Sequence, residues 1–173
     1  MKQLKLSNGN FALVDDEDFE SVNQFRWSEK PSLKTSYACS GIKQSDGKFK
    51  NISLHRFILK INNPKIYVDH KDHNGLNCQK NNIRTATPSQ NQMNSIGRGK
   101  SKYLGVHIRI QKTKYFSKKL GQRIYTCKMF VSQIRTGGKQ ICLGQFKTEE
   151  EAALCYNVAA KKYHREFANL NIL

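Results

Sequence analysis

Residues 68–94 read VDHKDHNGLNCQKNNIRTATPSQNQMN, and the chemistry of the chain is concentrated in them. An acidic oxygen donor stands beside an imidazole at Asp69-His70, amides follow at Asn81-Asn82, and Asn91 and Asn94 return after the short apolar segment that begins at Ile83. Carboxylate and amide oxygens are hard ligands suited to Mg²⁺, Mn²⁺ or Ca²⁺, whereas a structural zinc site takes thiolates and imidazoles. A histidine with an ordinary pKa of about 6.5 is largely neutral at physiological pH and accepts a proton from water. A cation beside a proton acceptor is a hydrolytic pair. Taken alone, Asp next to His is more often a turn with a satisfied imidazole, so the weight lies in the ordered set and in the turn and cap chemistry that returns Asn91.

Working outward, Ile66-Tyr67-Val68 predicts a brief strand leading into Asp69-His70, and residues 83–86 predict a second. Thr87 at the cap and Pro88 in the first helical position start a helix whose first turn carries Asn91, facing back to the strand pair. Upstream, residues 53–61 predict a short amphipathic helix with Ser53 as its cap, ended by Pro64. His55 on that helix reads either as a packed polar residue or as a brace for the site. Before it, Asn8-Gly9 and Asp46-Gly47 mark turns between short strands. The acidic run Asp15-Asp16-Glu17-Asp18 reads as the solvated first turn of a helix carrying Phe19, Val22 and Phe25, in preference to a metal site. His73 is read as a solvated loop histidine and Asp72 as a supporting group.

The formal net charge is +17, from 30 Lys and Arg against 13 Asp and Glu. Residues 51–148 hold 19 of the basic residues and only two acidic ones, Asp69 and Asp72, so the two ends balance. Such a field attracts a polyanion and makes binding salt-dependent; because the charge follows strands and loops and no amphipathic helix carries it, nucleic acid is the expected partner ahead of a membrane surface. The five cysteines (Cys39, Cys78, Cys127, Cys142, Cys155) are scattered and never form C-x-x-C, which argues against a disulfide framework or a thiolate zinc knuckle and for a reducing compartment. No apolar run approaches the roughly 20 residues of a membrane span, and the opening residues are too polar for a secretory signal, so a cytoplasmic location is expected.

Past residue 94, Gly97, Arg98, Gly99 and Lys100 have the composition of a linker. Residues 103–110, 124–135 and 139–146 alternate apolar with basic or polar side chains, and Thr136-Gly137-Gly138 joins the last two, which predicts three antiparallel strands. Thr148 to Glu151 is a capping box, and Ala152, Cys155, Tyr156, Ala159 and Tyr163 recur at helical spacing to cover one side of the sheet. The other side is left for a partner.

Asp69-His70, Asn81-Asn82-Ile83-Arg84 and Gln90-Asn91 together resemble the HNH nuclease motif. The leading region, with Val14-Asp15-Asp16, Trp27, Tyr37-Ala38 and Leu54-His55-Arg56, resembles the front half of phage-type HNH homing endonucleases. The resemblance implies that Asp69 and Asn91 hold one divalent cation, Mg²⁺ or Mn²⁺, that His70 is the general base, and that Asn82 fixes the loop carrying His70. Cys78 departs from the polar pattern of that loop. Residues 102–173 resemble the apetala/ERF DNA-binding domain, through Tyr103-x-Gly105-Val106, Ile134-Arg135, Leu143-Gly144-x-Phe146, Thr148-x-Glu150-Glu151-Ala152-Ala153 and Ala168-x-Leu170-Asn171. That family places its sheet in the major groove, which makes His107, Arg109, Gln133, Arg135 and Lys139 the implied contacts. His107, Phe130, Gln133 and Cys142 depart from the family's residues, and a basic insertion near residues 111–122 widens the first hairpin, so the plant target sequence does not transfer.

The expected protein is therefore α+β. An HNH domain with a strand-strand-helix metal finger spans 1–96, a linker 97–101, and a three-stranded antiparallel sheet packed on one helix 102–173. Its expected activity is site-specific hydrolysis of double-stranded DNA, of the homing type, by a monomer in a phage-infected bacterial host or another reducing compartment. A non-catalytic DNA-binding regulator on the same scaffold is the alternative, and an RNA-binding protein is disfavoured by the absence of an aromatic stacking motif.

Overall fold

A computed structural model describes residues 1–43, 47–95, 99–117 and 121–173. The chain is mixed α and β, with small antiparallel sheets and few helices, and divides into two compact units, Met1–Asn91 and Gln92–Leu173. Asp46 of the expected second turn and the first two residues of the expected linker lie outside the described residues.

In the first unit, β1 (Lys2–Lys5) and β2 (Phe11–Val14) form a hairpin in which Gly9 turns with φ 92°. Helix α1 (Asp16–Asn23) follows, then a meander of β3 (Ser28–Pro31), β4 (Ser36–Lys43) and β5 (Phe49–Ser53). Helix α2 (Leu54–Ile58) is shorter than its apolar pattern predicted. Ser53 precedes it without a side-chain cap, and Lys60 adopts φ 53°, which ends the turn before Pro64 is reached. Leu54 and Ile58, one turn apart, bury against Trp27, Val22 and Val14. Phe25, Trp27 and Phe57 meet edge to face with centroids 5.3–6.4 Å apart, and the Trp27 indole donates to the Val22 carbonyl at 2.8 Å.

From this core the chain enters β6 (Tyr67–His70), crosses a loop, returns in β7 (Ile83–Ala86) and starts α3 (Pro88–Met93). Thr87 closes the start of α3 in both directions: its backbone N–H donates to Gln90 Oε1 at 2.8 Å, and its hydroxyl accepts from Gln90 N at 3.2 Å. The loop is stitched to β2, with Leu13 N donating to the Leu76 carbonyl and Cys78 N to the Leu13 carbonyl, both at 2.8 Å. The acidic run does more than solvate a helix end. Asp15 accepts from Lys80 N at 2.7 Å and from Gln79 Nε2 at 3.2 Å, while the Lys80 ammonium reaches Glu17 and Asp18.

In the second unit, β8 (Val106–Ser117), β9 (Gly121–Thr136) and β10 (Lys139–Phe146) form one antiparallel sheet in the order β10-β9-β8. The described residues of the basic insertion are strand. β8 and β9 pair residue by residue from Val106 with Ser132 out to Ser117 with Gly121, making a two-stranded ribbon that runs past the end of β10. Helix α4 (Glu149–His164) covers one face, its start closed by the reciprocal Thr148 and Glu151 capping box. The buried stripe is Ala152, Ala153, Tyr156, Ala159, Ala160 and His164. Tyr163, expected on it, is exposed, because His164 turns inward and its Nε2 lies 2.9 Å from the Arg135 carbonyl. Asn171 holds the segment before β8, accepting from Leu104 N at 2.6 Å and donating to the Leu104 carbonyl at 3.1 Å.

Gly105 is required where it stands. Its φ is +70°, and a Cβ there would lie 2.0 Å from the Tyr156 ring and 2.6 Å from the Gln133 carbonyl. Gly105→Ala should therefore lower the unfolding free energy by about 2 kcal/mol or more through strain and overpacking. Urea denaturation checks this, and a loss within experimental scatter would show that the ring and strand give way.

Candidate active site and nucleic-acid interface

Strand pairing sets the site. Asp69 sits opposite Arg84 and His70 opposite Ile83, and successive strand residues face opposite sides. Asp69 faces Arg84, whose Nε lies 2.8 Å and Nη2 2.7 Å from Asp69 Oδ2; the two side chains are 5% and 13% exposed, so this is a buried ion pair. His70 faces the core of the unit. Its ring centroid is 5.0 Å from that of His55 and 5.7 Å from that of Tyr37, which in turn is 5.6 Å from His55.

This packing controls protonation. Burial pushes the His70 imidazole below its usual pKa, against the opposing pull of Asp72 and Asp69, so the ring is neutral at physiological pH. Burial, with smaller contributions from His70 and Arg56, pushes His55 down to about 3. Burial, then the Asp69 charge, pushes the Tyr37 phenol up.

The loop between β6 and β7 is closed by its amides. Asn82 is buried; its carbonyl accepts from Lys71 N at 3.0 Å, its Oδ1 from Asp72 N at 3.1 Å, and its Nδ2 donates to Asp72 Oδ1 at 2.9 Å and the Asn77 carbonyl at 2.8 Å. Burial alone would raise the Asp72 carboxyl, but Asn74 N–H, the Asn77 and Asn82 amides and His70 outweigh it and hold it below the ordinary aspartate value. Asp72 is thus a knot in the loop. His73 sits at φ 64° and its N–H donates to the His70 carbonyl at 3.1 Å, which closes the turn. Asn91 lies half-buried on α3, its N–H donating to the Thr87 carbonyl at 2.9 Å.

Cys78, which the pattern of the loop left unexplained, is fully buried. Its sulfur accepts from the His55 backbone N–H and lies 3.9 Å from the Gly75 carbonyl, and burial pushes its thiol up to about 12. Gly75 in turn donates to Thr35 Oγ1 at 2.9 Å, and a Cβ on it would lie 2.4 Å from the Ser36 carbonyl and 2.7 Å from the Tyr37 ring. Tyr37 and Gly75 belong to the surroundings of His70, and only the close approach of β4 to the loop reveals it.

The expected DNA contacts lie on the sheet of the second unit. The registers His107 with Val131, Arg109 with Met129, Gln133 with Cys142 and Arg135 with Gln140 put His107, Arg109, Gln133 and Arg135 on one face, away from the helix-covered side chains of Val106, Phe130 and Ile134. Lys139 pairs with Thr136 and so falls in register with the other face, while Gln140 shares the face of Gln133 and donates to its side chain. The ribbon adds exposed Lys112 and Lys114, with exposed Ile110, Phe116 and Ile124.

The chain is 33% identical over 170 residues, 94% of its own length and 75% of the relative's, to a protein of Acanthamoeba polyphaga mimivirus named as an uncharacterized HNH endonuclease. The chain belongs to the HNH endonuclease family. No family model matches it, and no solved structure matches it. Among the described residues no helix is long and apolar enough to cross a membrane.

The buried neutral His55 makes a prediction about stability. With a folded pKa near 3 against an ordinary 6.5, the unfolded chain binds a proton between those values that the folded chain refuses, so stability falls as pH drops through that window. The steepest contribution is about 1.4 kcal/mol per pH unit. His55→Gln should flatten that part of a stability-versus-pH curve; an unchanged slope would show that His55 is protonated in the folded protein.

Proposed function

We propose that the protein is a site-specific DNA endonuclease of the homing type, whose first unit hydrolyses a phosphodiester and whose second unit reads the duplex. The observation that carries the first half is His70, a buried imidazole kept neutral and packed against both His55 and Tyr37, one residue from a buried carboxylate.

The donor set suits a hard divalent cation. Asp69 offers a buried carboxylate oriented by Arg84, Asn91 an amide oxygen, and both are oxygen ligands of the kind that Mg²⁺ and Mn²⁺ take. Asp69 and Asn91 would hold the ion, which supplies Lewis-acid stabilisation of charge on the phosphate and the departing 3′ oxygen. His70 removes the proton from the attacking water, and its neutrality below the ordinary histidine range keeps it able to do so. Arg84 sets the orientation of the Asp69 carboxylate through two nitrogens on one oxygen. Asn82 holds the loop that follows His70.

For the reader, the support is charge and register. Residues 92–148 contain 13 Lys and Arg and no Asp or Glu. His107, Arg109, Gln133 and Arg135 lie on two adjacent strands, the major groove admits a two-stranded ribbon, and in the apetala/ERF reading strand side chains reach base edges from there. Lys139, at the β9–β10 turn, is assigned to phosphate contact. Lys112 and Lys114 on the ribbon add sequence-independent affinity.

His70→Ala should lower Mg²⁺-dependent cleavage by about 100-fold or more while leaving binding nearly unchanged; turnover retained in that variant would remove His70 from the chemistry. Arg109→Ala and Arg135→Ala should each weaken duplex binding about tenfold at moderate salt, read by fluorescence anisotropy. Unweakened binding in both would overturn the reading face.

A further inference from the structure

Among the described residues, one group of three metal-ligating side chains comes together: His55, His70 and Cys78, with one ligand atom from each lying within 4.8 Å of the others. It is a different constellation from Asp69 and Asn91, with nitrogen and sulfur donors where that pair offers oxygen. We propose that His55, His70 and Cys78 form a second cation site, selective for a thiophilic divalent ion of the zinc class, and that its occupation disables the nuclease by taking the His70 imidazole. The inhibitory half rests on His70 being the general base; the binding half does not.

Four observations carry it. First, the distances are near those of a three-ligand zinc site, where zinc–nitrogen and zinc–sulfur bonds put donors about 3.4–3.6 Å apart, so side-chain adjustments of about 1 Å close the set. Second, Nδ1 of His55 is buried with no hydrogen-bond partner among the described residues, an orphan that a cation would satisfy. Third, both imidazoles are held neutral by burial, which is the protonation state a ligand needs. Fourth, two carboxylates act on the cluster: Asp72 and Asp69 both favour positive charge at His70, and Asp72 also acts on Cys78, while His70 and Arg56 oppose it at His55.

The high pKa of the thiol is consistent with this. Cys78 stays an S–H in the metal-free protein, and binding exchanges that proton for the cation, releasing it to solvent while no electrons move. A neutral thiol is also a poor ligand for Mg²⁺, which takes oxygen donors, so the ion that serves hydrolysis does not compete here. The two sites share the β6 strand and use neighbouring residues, so soft-ion occupancy and base catalysis exclude each other.

The test uses the full-length, chelator-treated protein and Co²⁺ as a spectroscopic stand-in for Zn²⁺. Titration should give thiolate-to-cobalt charge-transfer absorption with the visible bands of a tetrahedral ion, reversed by Zn²⁺ and untouched by excess Mg²⁺. Cys78→Ser should remove the charge-transfer band, and His55→Gln should weaken Co²⁺ binding about tenfold or more, each checked for folding by circular dichroism. If Cys78→Ser fails to fold, His55→Gln decides the matter alone. In parallel, Zn²⁺ should suppress Mg²⁺-dependent cleavage by the wild type, and less so in either variant relative to that variant's own zinc-free rate. A charge-transfer band that survives Cys78→Ser, or tight Co²⁺ binding that survives His55→Gln, overturns the site. Loss of the band in Cys78→Ser with zinc sensitivity unchanged overturns the inhibitory role. A wild type that cleaves no DNA refutes the nuclease reading and leaves the cobalt titration to decide the site.

Discussion

The register of β6 against β7, locked by the buried ion pair of Asp69 with Arg84, is the constraint on which the site depends. A strand alternates sides, so a slip of one residue would send Asp69 into the aromatic core and His70 out to Arg84. The ion pair opposes that slip. Stranding the Asp69 carboxylate without its guanidinium would cost about 3–5 kcal/mol, the price of an uncompensated buried charge. With the register held, one strand presents a carboxylate on one side and a neutral imidazole on the other, and the loop beyond needs only to be closed. Asn82 and Asp72 close it by hydrogen bonds made to each other and to the backbone on both sides of the turn.

Much of this was legible in the residues because it is local. The strand over Ile83–Ala86 and the Thr87 cap before Pro88 are decided within four or five positions, by alternation and by a hydroxyl placed to accept from Gln90. The capping box at Thr148 is of the same kind. What escaped is non-local. Asp15 meets Lys80 across 65 residues, Gly75 meets Thr35 across 40, and no periodicity in either segment announces the other. Cys78 departs from an Asn-rich loop because its neighbour His55 is supplied by α2, more than twenty residues earlier. Helical spacing puts Tyr163 on the buried stripe of α4, but at the helix end either of two adjacent residues can turn inward. The Arg135 carbonyl gives His164 a polar partner there. Helix α2 stops early for a backbone reason, Lys60 at positive φ, which apolar spacing does not encode.

The second unit shows how charge and packing are kept apart. Its four acidic residues, Glu149, Glu150, Glu151 and Glu166, all lie on α4 or just past it, where the first three favour the helix N-terminus. The sheet is left wholly basic, and its helix-free face is available to a polyanion while Val106, Phe130, Ile134 and the α4 alanines build the core behind it. The paired ribbon of β8 and β9 extends that basic surface.

Cleavage of DNA with a hard cation and a histidine base is read out by incubating the full-length protein with a pooled duplex library, with and without Mg²⁺, and mapping breaks on each strand. Breaks should fall at a restricted set of sequences and appear only with the metal. Sequence-selective binding with no metal-dependent break on either strand would contradict this chemistry and identify the protein as a regulator on a nuclease scaffold.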